Sequence, residues 1–320
     1  MTGPRADGGA AVPEGMVLVP SGSFTAGSDD FYPEERPAHR AAVGAFALDR
    51  APVTVAQFAR FVAETGHVTV AERPVDPADY PGTDVSGIQP GALVFTGTAG
   101  PVPLHDPARW WRWVPGASWR HPEGPGSDAL ADRADHPVVQ VCLEDAEAYA
   151  TWAGRRLPTE RELEYAARGG RDGTEPYAWG SERSPGGRHP ANTWQGAFPY
   201  VNTRDDGWAR TSPVGTYPEN GFGLVDTIGN VWEWTSTPWS DDHRAAAEGA
   251  PAQAATPSPC CAPARTGAHA PARPRDGFVV KGGSHLCAPE YCLRYRPPAR
   301  QRQERDSATG HLGFRTAADL

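Results

Sequence analysis

Two short apolar runs, "MVLVPSGSF" from Met16 and "AFALDR" from Ala45, are each closed by turn-forming residues, and each predicts a strand. The stretch "TVAQFARFVAETGH" has helical spacing instead. Val55, Phe58, Phe61 and Val62 share one face, Thr54 suits the N-cap with Gln57 at the capping-box position, and Gly66 suits the end. Two more helices are predicted, over "EDAEAYATWAG" and over "PTERELEYAARGG", where Thr159 and Glu162 make a second capping box. From about residue 170 to 240 the periodicity gives way to repeated Gly, Asn and Trp, as in "ANTWQGAFPYVNTRDDGW" and "NGFGLVDTIGNVWEWT". A loop segment of that length is either disordered or held by something other than a hydrogen-bond ladder. Its many aromatic residues argue for order, and hard cations, which take carbonyl, Asn and Asp oxygens, are one such staple. Residues 1–15 are small and polar and read as a disordered tail, and the Ala-, Pro- and Arg-rich stretch 241–276 reads as a surface insertion in one domain.

Composition sharpens this picture. In 320 residues there are 36 Gly, 34 Pro and 11 Trp, which favours turns tied together by aromatic side chains over long helices. A formal net charge of -9 argues against a nucleic-acid partner. No run of eighteen apolar residues is present, so no membrane span is expected. The N-terminus has no apolar segment of signal-peptide type, which makes the cytoplasm the expected compartment. Five cysteines, an odd number in a reducing compartment, suit metal or catalytic roles better than a disulfide scaffold.

Two of the five lie in "KGGSHLCAPEYCLRYRPPAR", as the C-x4-C pair Cys287 and Cys292. Fully extended, the pair would be separated by roughly 16 Å at about 3.3 Å per residue, but Pro289 permits a bend that brings the sulfurs together. From spacing alone three readings stay open: a disulfide, two inert buried thiols, or a site for a soft ion such as Cu(I), which accepts two sulfur ligands. Zinc would want four ligands, and no C-x2-C partner pair is present.

The segments "VPSGSFTAGSDDFYPEERPAHR", "APVTVAQFARFVAETGH", "WAGRRLPTERELEYAARGG", "ANTWQGAFPYVNT", "GNVWEWT", "KGGSHLCAPEYCLRYRPPAR" and "LGFRTA" together resemble the formylglycine-generating enzyme family, the sulfatase-modifying factors, in that family's order. The "GGS..C....C.RYR" element is the specific one, because it marks the members that carry out the oxidation. The resemblance implies an α+β fold, a single domain of low regular secondary-structure content with a C-type-lectin-like core, spanning residues 16–320. It also implies a reaction. Cu(I) is held by Cys287 and Cys292, a cysteine in a Cys-x-Pro-x-Arg segment of an unfolded sulfatase polypeptide adds as a further ligand, and dioxygen with a thiol reductant yields formylglycine. Partner recognition would be of an extended peptide in a groove.

Other residues carry over from the same resemblance. Ser284 matches a serine lining the family's active site, although a serine after two glycines also suits a plain turn. Tyr291, Arg294 and Arg296 match the motif; an arginine beside a thiolate favours its metal-binding form, while Arg-Tyr-Arg also fits an alternating strand. Trp232 matches a pocket aromatic and is otherwise a core residue. His311 replaces an active-site Asn and Gln303 replaces another, with Asp306 and Ser307 retained; the charge of a histidine near pH 6.5 becomes a variable. Two structural calcium sites are implied, one from Asn192, Thr193, Asp206 and Trp208, the other from Asp226, Gly229, Val231 and Glu233. Cys260 and Cys261 lie outside the best-known pattern and receive no role. Two rival readings share the fold: a non-haem iron sulfoxide synthase, which carries a His-rich iron site, and a non-catalytic binding module, which the cysteine pair argues against.

Overall fold

A computed structural model describes residues 11–79, 82, 84–172, 175–244 and 277–320. Short strands and few helices are set among long irregular segments. The strands are β1 (Met16–Val19), β2 (Gly22–Ala26), β3 (His39–Val43), β4 (Phe46–Asp49), β5 (Gly91–Phe95), β6 (Trp111–Pro115), β7 (Trp232–Pro238), β8 (Gly277–Lys281), β9 (Arg300–Glu304), β10 (Leu312–Gly313) and β11 (Ala317–Asp319). The helices are α1 (Val55–Thr65), α2 (Ala129–Asp132), α3 (Leu143–Trp152) and α4 (Glu160–Arg168).

The helix signals in the sequence act as chemistry demands. Thr54 accepts from the Gln57 N–H while the Gln57 side chain accepts from the Thr54 N–H, and Gly66 ends α1 in the left-handed region at φ 70°. Thr159 and Glu162 repeat the arrangement on α4, which Gly169 ends at φ 60°. The apolar face of α1 enters the main core, where Phe58 packs against Phe61, Trp119, Tyr149 and Phe314 with centroids 5.3 to 6.3 Å apart. Truncating such a fully buried Phe to Ala costs about 3–5 kcal/mol. The same core contains Trp232, Cys287 and Cys292.

Strand pairing sets the frame for the site. In the sheet ordered β1-β4-β11 the first and last strands flank β4, both antiparallel to it. A second sheet, ordered β10-β7-β8-β9, is antiparallel except for β7 and β10, which run parallel with Leu312 opposite Trp232. Trp232 starts β7, "GGS" follows β8, and His311 immediately precedes β10. Three strand ends therefore deliver three candidate residues to one place.

Several expectations need correction. Residues 11–15 belong to the folded body: Glu14 and Gly15 carbonyls accept from Arg155 and from the Arg50 N–H. The turn-rich stretch hides a strand, β7, which lies inside the core sheet. At the start of the expected insertion His243 is buried, 3.3 Å from Glu160, so the chain is still tied to the body at that residue, while Asp241 and Arg244 on either side of it are exposed. The remainder of that insertion, with Cys260 and Cys261, lies outside the described residues. "RYR" forms no strand; the chain from Cys292 to Arg296 is irregular. No helix among the described residues is long and apolar enough to cross a membrane.

Candidate active site

The cysteine loop is built by two turns. Gly282 and Gly283 leave β8 at φ 94° and 73°, and a Cβ on Gly283 would stand 2.9 Å from the Arg294 carbonyl oxygen. Left-handed backbone and close chain passage both require glycine there. The Ser284 carbonyl accepts from the Cys287 N–H at 2.9 Å, and the Ser284 N–H donates to the Cys287 Sγ at 3.3 Å. The Ser284 hydroxyl accepts from the Leu286 N–H. Next, the Ala288 carbonyl accepts from both Tyr291 and Cys292 N–H groups, at 3.2 and 2.7 Å, which folds Pro289 and Glu290 into an exposed turn. The extended separation is thereby abolished. The two cysteines are not joined in a disulfide; each is 1% exposed, and their sulfurs lie 3.0 Å apart.

Above the sulfurs lies a cavity of about 10 Å³, room for one water-sized group. Ser284, Tyr291 and His311, foreseen from the motif, line it together with Trp110, Trp111, Phe198 and Leu286, which sequence reading missed. Tyr291 stacks on Phe198 at 4.5 Å and meets Trp110 edge-on at 5.2 Å. "RWW" and "AFPY" are aromatic-rich, which was the available signal, but nothing in their spacing ties them to residue 287. Trp232 is buried in the core that holds the cysteines. The indole N–H groups of Trp111 and Trp232 and Nδ1 of His311 are buried without a hydrogen-bond partner. Each such group costs about 1–3 kcal/mol when nothing answers it, and two of the three, on Trp111 and His311, belong to residues that line the cavity.

Burial pushes the His311 imidazole down to about 3, with neighbouring His285 adding to the effect. The ring is therefore neutral at physiological pH, which removes the charge variable expected for it. Arg294 is not on the cavity wall; it pairs with Glu34 at 2.5 Å and lies over the Tyr32 ring at 3.8 Å. Arg296 is fully buried against Glu35. Gln303 sits in β9 opposite Phe278, also off the cavity wall. On the outer side of the cysteine turn, Pro289 and Glu290 join Trp179, His189, Trp194 and Tyr295 around a larger pocket of about 430 Å³.

The two expected calcium groups touch each other. Asn192 Nδ2 donates to the Arg210 carbonyl, and the Asn192 carbonyl accepts from the Asn230 N–H. Gly229 has φ 76°, and a Cβ there would lie 2.4 Å from the Asn192 carbonyl oxygen. Asp206 accepts from the Trp208 N–H and the Tyr217 hydroxyl, 3.0 and 2.7 Å away; Thr193 is half-buried and Val231 buried. Glu233 has both oxygens on Arg315, at 2.6 and 2.7 Å. Asp226 is different. One oxygen accepts from the Gly215 N–H, the other is buried without a partner, and burial, aided by Glu233, raises the carboxyl to about 6.

Fold and site define a class: a mixed domain, poor in regular elements, in which a pair of thiols is closed under aromatic rings. The family model described as "Sulfatase-modifying factor enzyme 1-like domain" matches residues 6–320, and the chain belongs to that family. The formylglycine-generating enzyme of Mycobacterium tuberculosis (strain H37Rv) is 59% identical over 304 residues, covering 95% of this chain and 97% of that protein. The formylglycine-generating enzyme of Thermomonospora curvata is 44% identical, with 96% of this chain and 94% of that protein covered. Among solved structures, PvdO from Pseudomonas aeruginosa shares the fold, with a TM-score of 0.60 at 24% identity and 95% and 94% of the two chains covered.

Proposed function

We propose that this chain is a formylglycine-generating oxidoreductase, which converts the –CH2–SH side chain of a cysteine in a sulfatase to an aldehyde. The observation that carries this reading is the pair of cysteine sulfurs 3.0 Å apart beside a cavity sized for one small group. Similarity at 59% identity to an enzyme named for that product supports it.

Within this reading the substrate is an unfolded Cys-x-Pro-x-Arg segment, and dioxygen and a thiol reductant are co-reactants. Two converging, buried thiols make a soft donor set and fit Cu(I), with Cys287 and Cys292 as the residues that would hold it. Bound there, copper would supply the one-electron chemistry by which dioxygen oxidises a carbon next to sulfur. The chain's own residues do the rest. The Ser284 N–H fixes the Cys287 sulfur, the rings of Trp110, Trp111 and Tyr291 exclude bulk water, and neutral His311 offers a nitrogen to a polar group in the cavity. Calcium fits Asp226 best, because its unanswered buried oxygen is the kind of atom a hard cation takes; the other group supplies an Asn and an Asp oxygen beside it.

The test combines purified protein, Cu(I), oxygen, a thiol reductant and Cys-x-Pro-x-Arg peptides, with mass spectrometry as readout. Conversion of cysteine to aldehyde is expected. Copper-loaded protein that converts none of several such peptides overturns the reading.

A further inference from the structure

The chain leaving Cys292 is gripped by a segment 261 residues earlier. The Tyr32 hydroxyl accepts the Leu293 N–H at 3.0 Å, directly beside Cys292. Glu34 pairs with Arg294, whose guanidinium also lies over the Tyr32 ring. Glu35, fully buried, takes both Arg296 amino groups, and the Phe31 ring lies 3.6 Å from that guanidinium. Arg296 Nε in turn donates to the Leu293 carbonyl, closing the turn on itself. Both backbone polar groups of Leu293 are thus fixed from outside the cysteine loop.

We propose that Phe31–Glu35 is a clamp that sets the separation of the Cys287 and Cys292 sulfurs, with Tyr32 and Glu34 as positioning residues for the thiol pair. Cys287 is anchored by its own turn on Ser284 and by the Trp194 N–H on its carbonyl. Cys292, packed in the main core, is held at its N–H by the Ala288 carbonyl and is followed directly by the clamped Leu293. A short exposed turn between the two cysteines cannot by itself hold both sulfurs at one spacing, so the clamp supplies the preorganisation. The inference rests on reading this pair as the reactive site. Its test needs neither peptide substrate nor dioxygen, so it stands or falls separately from that reading.

The measurement is the effective concentration of the two thiols for each other. The full chain is equilibrated in glutathione buffers, where the pair gives two electrons and two protons to one glutathione disulfide, which becomes two thiols. Trapping and peptide mapping then count the Cys287–Cys292 bond specifically. Tyr32→Phe and Glu34→Gln are each expected to lower the effective concentration about three- to tenfold, a tenfold change corresponding to about 30 mV for this two-electron couple. Cu(I) retention against a competing chelator should weaken in the same order. Glu35 is left intact, because removing it strands the buried Arg296 charge and endangers folding. Values within twofold of wild type in both variants overturn the proposal. So does a lowered melting temperature with unchanged effective concentration, which assigns Tyr32 and Glu34 a structural role only.

Discussion

The His311 imidazole stands edge-on to the Trp111 indole, with ring centroids 4.9 Å apart and planes at 88°, on the wall of the thiol cavity. Its unpartnered Nδ1 matters more than its charge, since burial keeps the ring neutral down to about pH 3. His311→Asn, which retains a hydrogen-bonding group, is expected to keep peptide turnover within roughly tenfold. His311→Leu removes the nitrogen and should cost a further factor of ten or more, about 1.4 kcal/mol, in kcat/KM. Steady-state kinetics on one peptide decides between these.

Cys287→Ser and Cys292→Ser should each abolish both Cu(I) retention and peptide conversion. Each places a hydroxyl where a buried thiol stood, at a stability cost of about 1–3 kcal/mol, so the folded fraction must be checked by circular dichroism. An active single mutant refutes a shared two-sulfur site.

Calcium removal should destabilise the fold. A site saturated a hundredfold above its dissociation constant contributes about 2.7 kcal/mol, and in a chain of 320 residues a strong chelator should therefore lower the melting temperature by roughly 4 °C. Asp226→Ala should erase most of the difference between chelated and calcium-loaded protein. A chelator-insensitive wild-type melting curve overturns the calcium assignment.

Acid stability is expected to hinge on Glu160. Burial pushes its carboxyl up, but Arg300, His243 and Lys281 together override that and leave it at about 2. A carboxyl depressed in the folded state stabilises fully above its ordinary value of 4.5, and that contribution fades as pH falls from there towards 2. The loss is on the order of 3 kcal/mol over that window. His243 acts oppositely: burial lowers it, yet Glu160 and Glu164 raise it beyond 6.5, so its contribution is whole below 6.5 and drains away as pH rises through the folded value. Denaturant titrations should therefore show greatest stability between about pH 4.5 and 6.5 for this cluster. Glu160→Gln should make the acid limb shallower, leaving the part carried by neighbouring Glu164, whose carboxyl is also held well below 4.5, while costing about 3–5 kcal/mol overall because Arg300 loses its buried partner.

What could be read in advance follows the range of each interaction. Helices α1 and α4 are closed by residues three apart, so Thr54 with Gln57 and Thr159 with Glu162 announce them. The cysteine turn is nearly as local, since Ser284, Ala288 and Tyr291 all lie within five residues of a cysteine. Trp110, Phe198 and Tyr32 reach the same site across long stretches of chain, and no local pattern encodes such contacts. The strand β7 was hidden for a related reason. Its polar residues Glu233, Thr235 and Thr237 are buried along with Trp232 and Trp234, so burial along "WEWTSTP" does not follow residue polarity. The burial of His311, and hence its neutrality, depends on rings brought in by β6 and was invisible from the motif.

The grip of Tyr32, Glu34 and Glu35 on residues 293–296 also bears on when the molecule acquires its chemistry. During synthesis the N-terminal half of that grip emerges first and waits for nearly the whole chain to follow. Contacts of such long range are slow to close. A nascent or C-terminally truncated chain thus carries Cys287 and Cys292, if at all, as two independent thiols. Assembly of a matched sulfur pair coincides with completion of the fold, so the close spacing of the two sulfurs is a property of the finished protein alone.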